Sequence, residues 1–290
     1  MATKKTAKRK VRPAQKQKRK PGLESVMKPV PEYIDENYQG SDKLKDKVAI
    51  ITGGDSGIGR AVALAFALEG AHIVISYYNE HSDAKTTKDM IESLGQKCII
   101  LSGDVSKPSY CERVVNKAIK TFGKLDILVN NAAEQTPEEK FEDITNKHLE
   151  KTFRTNVFGY FYMIKSALKY LKKDSSIINT TSVTAYRGSG HLVDYSASKG
   201  AIVSLTRSLS QYLIDKKIRV NAVAPGPIWT PLIPSTFSAK QVSEFGSDSP
   251  MKRAGQPREV APCYVFLASS DSSYMSGQVL HPNGGEIING

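Results

Sequence analysis

A glycine-rich turn between a short apolar run and an amphipathic helix is the feature that most restricts the fold of this chain. Residues 47–52 read K-V-A-I-I-T, and such β-branched apolar runs are typical of a buried parallel strand. Residues 53–59 follow with the spacing G-x-x-x-G-x-G, and a helical pattern begins directly after them. Glycine lets the backbone turn tightly and approach a pyrophosphate, which a helix N-terminus attracts. This order of elements favours a dinucleotide site over an ordinary glycine-rich βα turn.

The rest of the chain repeats the alternation of short apolar runs and helical patterns. Candidate strands cover residues 48–52, 72–77, 97–101, 126–130, 175–180, 218–223 and 277–281. Alternating βα units predict a Rossmann-type, doubly wound parallel sheet of seven strands with helices on both faces. The 290 residues, 40% of them hydrophobic, can form one sizeable core. We therefore predict a single α/β domain over residues 47–290, preceded by an extension over residues 1–46.

Tyr195 and Lys199 are the most informative polar pair. They lie four residues apart in D-Y-S-A-S-K, so a helix places both on one face. A phenol has an ordinary pKa of about 10, and a nearby ammonium lowers that pKa. The pair can then exchange a proton with a carbonyl or an alcohol. This spacing alone is common on surface helices, but here it follows a dinucleotide turn and Ser182.

Together these segments resemble the short-chain dehydrogenase/reductase family. More of the family's pattern follows in order, namely Gly103-Asp104-Val105, Asn130-Asn131-Ala132-Ala133, Asn156 in T-N-V-F-G, and the loop from Pro225 to Thr230. The resemblance covers residues 47–290 and departs at Ala133, where the family usually has glycine. The leader P-G-L-E-S-V-M-K-P-V-P-E-Y is similar to that of bacterial glucose/ribitol dehydrogenase-like and general stress oxidoreductases.

The resemblance implies an NAD(P)-dependent oxidoreductase that transfers a hydride between nicotinamide and a sugar, polyol, aldehyde or ketone. It makes Tyr195 the general acid and base, with Lys199 lowering its pKa and binding the nicotinamide ribose. Ser182 would bind the reacting oxygen, and Asn156 would hold a water of the proton relay. The implied cofactor-binding residues are Gly53, Asp55, Ser56, Gly57, Ile58, Gly59, Tyr77, Asp104, Val105, Asn131, Ala132, Ala133, Tyr195, Lys199, Pro225, Gly226, Ile228 and Thr230. The alternative is a dinucleotide-binding scaffold or sensor without turnover, and the complete catalytic set favours the enzyme.

The end of the second predicted strand bears on the choice of cofactor. In the family, an acidic residue at this end usually binds the ribose hydroxyls of NAD, and a nearby arginine usually binds the phosphate of NADP. This chain has Tyr77 and Tyr78 at those positions. A 2′-phosphate would bring about two negative charges without a bidentate partner, and Glu80 would oppose it. We therefore expect NAD to be preferred, with NADP as the open alternative.

The N-terminal extension is strongly basic. The chain carries a net charge of +12, and residues 1–22 contain ten Lys or Arg and no acidic residue. A block so poor in apolar residues predicts a largely flexible segment. It is either a solvated leader or an arm that contacts a polyanion.

Other features of the sequence indicate where the protein is located and what it binds. No apolar run is long enough to span a bilayer, and three distant cysteines favour reduced thiols in a cytoplasm. The five histidines show no metal-ligand spacing, so no metal is expected. Residues 149–172 form an unusually apolar helical pattern, with Phe153, Val157, Phe161, Ile164 and Leu168 on one face. This pattern predicts self-association, and the resemblance implies a dimer or a homotetramer.

Overall fold

A seven-stranded parallel sheet forms the centre of the molecule. The computed structural model describes residues 9–288. The strands are β1 (Val48–Thr52), β2 (His72–Tyr77), β3 (Cys98–Ser102), β4 (Ile127–Asn130), β5 (Ser176–Thr180), β6 (Arg219–Val223) and β7 (Val279–Leu280). Their order in the sheet is β3-β2-β1-β4-β5-β6-β7, and every neighbouring pair is parallel. The predicted doubly wound α/β fold is confirmed.

Helices cover both faces of this sheet. They are α1 (Gly57–Leu68), α2 (His81–Ser93), α3 (Pro108–Phe122), α4 (Asn146–Phe153), α5 (Gly159–Ala167), α6 (Thr184–Arg187), α7 (Val193–Leu213), α8 (Leu232–Thr236), α9 (Ala239–Glu244) and α10 (Pro257–Ala268). The core on one face includes α1, α2 and α10, and the core on the other includes α3, α5 and the end of α7. Successive residues of β1 alternate between these cores, because side chains along a strand point to opposite faces. β1 is therefore buried along its whole length.

The predicted helix over residues 149–172 is interrupted by a π turn. The segment Arg154–Phe158 has π-helical hydrogen bonds and joins α4 to α5. One π turn changes the angular position of every residue that follows it, so a 3.6-residue period no longer describes the whole segment. Val157 and Ile164 are buried as expected, whereas Phe161, predicted on the same face, is 45% exposed. π turns are frequent at functional sites, and this one contains Asn156.

The chain from residue 9 to residue 46, here called the leader, packs on the domain. It contains no helix or strand. Met27 is buried with Trp229 and Ile233 in a small apolar cluster, and the indole N–H of Trp229 donates to the carbonyl of Pro29 at 2.8 Å. The expectation of a largely flexible extension therefore differs from the structure over residues 9–46, because the leader has apolar and hydrogen-bonding partners that its composition does not show. Residues 1–8 lie outside the described part.

Candidate active site

One large cavity opens at the carboxyl ends of the strands. The sheet order reverses direction between β1 and β4, and ligands of open α/β sheets bind at such a switch point. The cavity has a volume of about 1690 Å³, larger than the pocket of about 300–1,000 Å³ that suits a single small molecule. It is lined by every predicted cofactor-binding residue except Gly59, and by Ser182. Asn156 is the other predicted site residue that is not in its lining.

The glycine turn after β1 forms the floor of this cavity. Gly53 and Gly57 have φ of +63° and +53°, a region that favours glycine. Gly59 is required for packing, since a Cβ there would lie 1.9 Å from the Gly53 carbonyl oxygen. The turn is held from β4, because Asn131 donates to the carbonyls of Thr52 at 3.1 Å and Gly53 at 3.2 Å. The α1 N-terminus is thus fixed facing a cavity large enough for a dinucleotide, and the residues present fit that group.

Tyr195 and Lys199 meet at the cavity wall on α7. The ammonium of Lys199 donates to the carbonyl of Thr180 at 2.8 Å and lies 5.6 Å from the centre of the Tyr195 ring. Burial lowers the pKa of Lys199 to about 7. Burial also raises the pKa of Tyr195 to about 12, with an opposing contribution from Ser182.

The pKa of Tyr195 therefore moves opposite to the sequence-based expectation. Desolvation disfavours the phenolate, and Lys199 directs its ammonium at Thr180 instead of the phenol. In this structure the phenol is a neutral proton donor at neutral pH, which is the form that reduction of a carbonyl requires. Ser182 lies beside it and accepts hydrogen bonds from the amide of Thr184 at 3.2 Å and its hydroxyl at 3.1 Å.

Asn156 connects the loop after β4 to the helix that carries Tyr195. It is fully buried, and its Oδ1 accepts from the amide of Glu134 at 2.8 Å. Its Nδ2 donates to the carbonyl of Glu134 at 2.9 Å and to Ser198 Oγ at 3.1 Å. Ser198 in turn donates to the backbone carbonyl of Tyr195 at 2.7 Å. The Asn156 side chain therefore holds α7 against the loop after β4.

Sequence reasoning missed the contribution of the leader to this site. Lys20, Pro21 and Gly22 line the cavity. Glu24 is 1% exposed, and its carboxylate accepts from the Gly57 amide at 2.7 Å while forming an ion pair with the buried Arg60. The leader thus binds the first amide of α1 directly. No periodicity marks these residues, and the only local signal is the first acidic residue after a basic block.

Buried acids surround the glycine turn on this side. Burial raises the pKa of Glu24 to about 7, and Arg60 opposes that shift. Burial also raises the pKa of Asp55 to about 7, and the charge of Glu80 adds to the rise. Arg60 donates to the carbonyls of Asp55 at 2.8 Å and Asp83 at 3.1 Å. When they are ionised, these acids make the end of the cavity near β2 electronegative, and Arg60 balances part of that charge.

This chain is similar in sequence to known oxidoreductases. The sequence model of a family described as enoyl-(acyl carrier protein) reductase matches residues 53–286. The chain is 56% identical to general stress protein 39 of Bacillus subtilis over 95% of its own length and 96% of that protein. It is 52% identical to the glucose and ribitol dehydrogenase of Daucus carota, covering 96% of this chain and 98% of that one.

The chain belongs to the short-chain dehydrogenase/reductase family. A solved short-chain dehydrogenase from Burkholderia cenocepacia, in complex with NADP, superposes with a TM-score of 0.79. That structure is 30% identical and matches 84% of this chain and 98% of its own. The family, the fold and the class of NAD(P)-dependent oxidoreductase are thereby confirmed.

Proposed function

We propose that this oxidoreductase interconverts an alcohol and a carbonyl group on a sugar, polyol, aldehyde or ketone, with Tyr195 as the proton donor and acceptor. The observation that carries the proposal is the junction of Tyr195, Lys199 and Ser182 at the wall of a dinucleotide-sized cavity. Bound nicotinamide would supply or accept the hydride. A scaffold without turnover would not require this constellation.

The chain's own residues would then orient the substrate and move a proton. Ser182 offers a hydroxyl to the reacting oxygen next to Tyr195, whose raised pKa keeps the phenol protonated at neutral pH. After the phenol gives up its proton, the ammonium of Lys199, one helical turn away, would stabilise the phenolate, and a proton from solvent would restore the phenol. The bonds of Asn156 hold α7 against the loop after β4 and keep these groups in register.

Substrate choice would lie with the segment that covers the cavity. The cavity is lined there by Arg187 at the end of α6, His191 in the loop before α7, Phe237 after α8 and Gln241 in α9. Arg187 is bound to Glu286 at 3.1 Å. These mixed apolar and polar groups suit a small hydroxylated or carbonyl compound.

We also propose that the chain uses NAD in preference to NADP while accepting both. Tyr77 at the end of β2 offers no charge to a phosphate, and the nearby carboxylates of Asp55 and Glu80 are buried. Asp55, whose pKa is raised by burial to about 7, would repel a 2′-phosphate when it is ionised, whereas the ribose hydroxyls of NAD carry no charge to be repelled.

The remaining proposals concern the surroundings of the enzyme. Cys98 and Cys111 are buried free thiols and Cys263 is a partly buried one, which supports a reducing cytoplasm. No helix within residues 9–288 has both the length and the apolar character needed to cross a membrane. Apolar side chains exposed on α4, α5 and the π turn support a dimer or a homotetramer. The basic residues of the leader support a further proposal, namely contact with a polyanion.

A substrate panel tests the proposed function. Sugars, polyols, aldehydes and ketones are assayed in both directions with NAD(H) and NADP(H), using the wild-type protein and Tyr195→Phe in parallel. Turnover of at least one compound by the wild type, and its loss in the variant, would support the proposal. A wild type that binds dinucleotide but turns over no member of the panel would favour the scaffold.

A further inference from the structure

Residues 17–24 of the leader, here called the strap, cross the mouth of the cavity. At one side the Gln17 amide donates to the carbonyl of Pro234 in α8 at 2.7 Å. At the other side Lys20 Nζ donates to Thr136 Oγ1, beyond β4, at 3.2 Å. A Cβ on Gly22 would lie 2.5 Å from the Pro231 carbonyl oxygen, so the strap lies tightly on the segment before α8. Lys20, Pro21 and Gly22 of the strap line the cavity and are therefore part of the wall that a bound dinucleotide would face.

Arg19 extends from the strap to the residues that follow β2. Its Nη2 donates to Asn79 Oδ1 at 2.8 Å, to the Asn79 carbonyl at 3.1 Å and to Glu80 Oε1 at 3.1 Å. Glu80 and Tyr77 line the cavity where the end of β2 would meet the adenosine ribose. Arg19 does not itself line the cavity, but it brings a cation into contact with the lining residue Glu80, where the sequence showed none.

A cation at the end of β2 lies next to buried acidic side chains. Glu80 and Asp55 are 2% and 4% exposed, so their interactions are weakly screened by water. The Arg19 side chain is 44% exposed, and only its Nη2 forms bonds with described residues. A guanidinium carries five N–H donors in a fork that suits phosphate oxygens. Nε and Nη1 therefore have donors to offer a phosphate next to Glu80.

We propose that Arg19 is a cofactor-specificity residue, carried on the leader, that admits the 2′-phosphate of NADP at the adenosine end of the cavity. It acts in two ways, and both favour the binding of NADP. It neutralises Glu80, and it offers donors to the phosphate. Removal of the guanidinium leaves the buried carboxylate of Glu80 without its cationic partner next to that phosphate, whereas NAD carries no charge there. This inference rests on the proposed dinucleotide site and deepens it.

Direct binding to the full chain tests this inference without reliance on turnover. Dissociation constants of NADP⁺, NAD⁺, 2′,5′-ADP and 5′-AMP are measured by isothermal titration calorimetry for the wild type and Arg19→Gln. Lys18→Gln is the matched control, because Lys18 is the preceding residue, is exposed and has no described contact. We expect Arg19→Gln to weaken NADP⁺ and 2′,5′-ADP about tenfold and to change NAD⁺ and 5′-AMP less than about twofold. Arg19→Lys should recover part of the loss, and Lys18→Gln should match the wild type.

The outcomes separate this inference from the proposed function. Equal changes for ligands with and without the 2′-phosphate, or no change for either, would overturn the role of Arg19. A wild type that does not bind NADP⁺ measurably would also overturn it. If Arg19→Gln selectively loses NADP⁺ binding while the wild type turns over no tested substrate, the specificity role of Arg19 is supported and the proposed catalysis is contradicted. A circular dichroism spectrum and melting temperature equal to those of the wild type show that Arg19→Gln is folded.

Discussion

Tyr195 shows how much a side chain's chemistry depends on surroundings that are remote in sequence. The spacing to Lys199 predicted a lowered phenol pKa, whereas burial dominates and raises that pKa to about 12. The lysine is itself buried, with its ammonium bound to the Thr180 carbonyl at 2.8 Å. The pair is therefore a neutral acid next to a cation that loses its proton easily, a combination suited to reduction near neutral pH.

Tyr195→Phe should remove the proton donor and leave the shape of the wall almost unchanged. We expect kcat to fall about 10³-fold, in line with the usual contribution of a general acid, while the dissociation constant for NAD⁺ stays within about threefold of the wild type. Steady-state kinetics on a substrate found in the panel give kcat. Calorimetry gives the dissociation constant of the cofactor. Retention of most of the turnover would show that another group transfers the proton.

The buried Lys199 should leave a signature in the pH dependence of stability. Its pKa is lowered from 10.5 to about 7 on folding, so between these values the unfolded chain binds more protons than the folded one. The free energy of unfolding therefore rises with pH in this window, and the cost of burying Lys199 is largest below pH 7. Replacement by Met, which is similar in length and uncharged, should stabilise the protein by about 2 kcal/mol more at pH 7 than at pH 9, at 1.36 kcal/mol for each pKa unit. Urea denaturation of both proteins without cofactor at the two pH values measures this, and an equal difference at both would contradict the lowered pKa.

At the scale of elements, the sequence predicts the strands and the glycine turn, because both depend on local patterns. Apolar runs place all seven strands within two residues of their observed ends, because a strand buried on both faces tolerates few polar residues. The glycine turn is equally predictable, since glycine adopts the positive φ of Gly53 and Gly57 at the lowest energetic cost.

The elements that were missed depend on contacts between distant segments. The π turn around Asn156 is stabilised by Glu134 and Ser198, 22 and 42 residues away. The position of the leader depends on the bond from Glu24 to Gly57 and on the burial of Met27 against Trp229. Composition alone shows a basic block and no such partner. Hence the cavity floor could be predicted from the sequence, and the leader side of the cavity could not.

Truncation of the leader tests its structural role. Deletion of residues 1–22 removes the bonds of Val11 to Ser243 and of Gln17 to Pro234, the contact of Arg12 with the Trp229 ring at 4.2 Å, and the cavity wall at Lys20. We expect a melting temperature lower by about 3–6 °C, equivalent to the loss of about 1–2 kcal/mol, together with a higher KM for both dinucleotides. This expectation replaces that of a largely flexible extension.

Deletion of residues 1–8 is the matched control for this truncation. It removes Lys4, Lys5 and Lys8, three of the ten Lys and Arg residues in the segment 1–22, without touching a described contact. Differential scanning fluorimetry and cofactor titrations should show this shorter deletion to behave as the wild type. If both deletions have the same effect, the described contacts of residues 9–22 do not carry the stability.

At the scale of the whole molecule, the fold assigns separate tasks to its parts. The sheet and α1 fix the dinucleotide end, α7 fixes the proton donor, and the leader closes the side that the sheet leaves open. Because Glu24 bonds to the first amide of α1, cofactor binding and leader docking act on the same few atoms. Movement of the leader would therefore change the affinity of the cavity for any dinucleotide.

The outer surface of the α4–α5 segment carries the last prediction. Leu149, Phe158 and Phe161 are 41%, 41% and 45% exposed on this continuous helical segment, which is an unusual density of large apolar groups on a surface. If copies of the chain associate through it, Phe161→Glu places a charge in an apolar contact and should shift the protein to smaller species. Tyr274→Glu is the control, because Tyr274 is fully exposed after α10 and the same charge there meets only water. Sedimentation velocity at micromolar concentration should show a dimer or tetramer for the wild type and Tyr274→Glu, and a smaller species for Phe161→Glu. A wild type that sediments as a monomer, or a Phe161→Glu variant that keeps the wild-type size, would mean that these side chains are exposed for another reason.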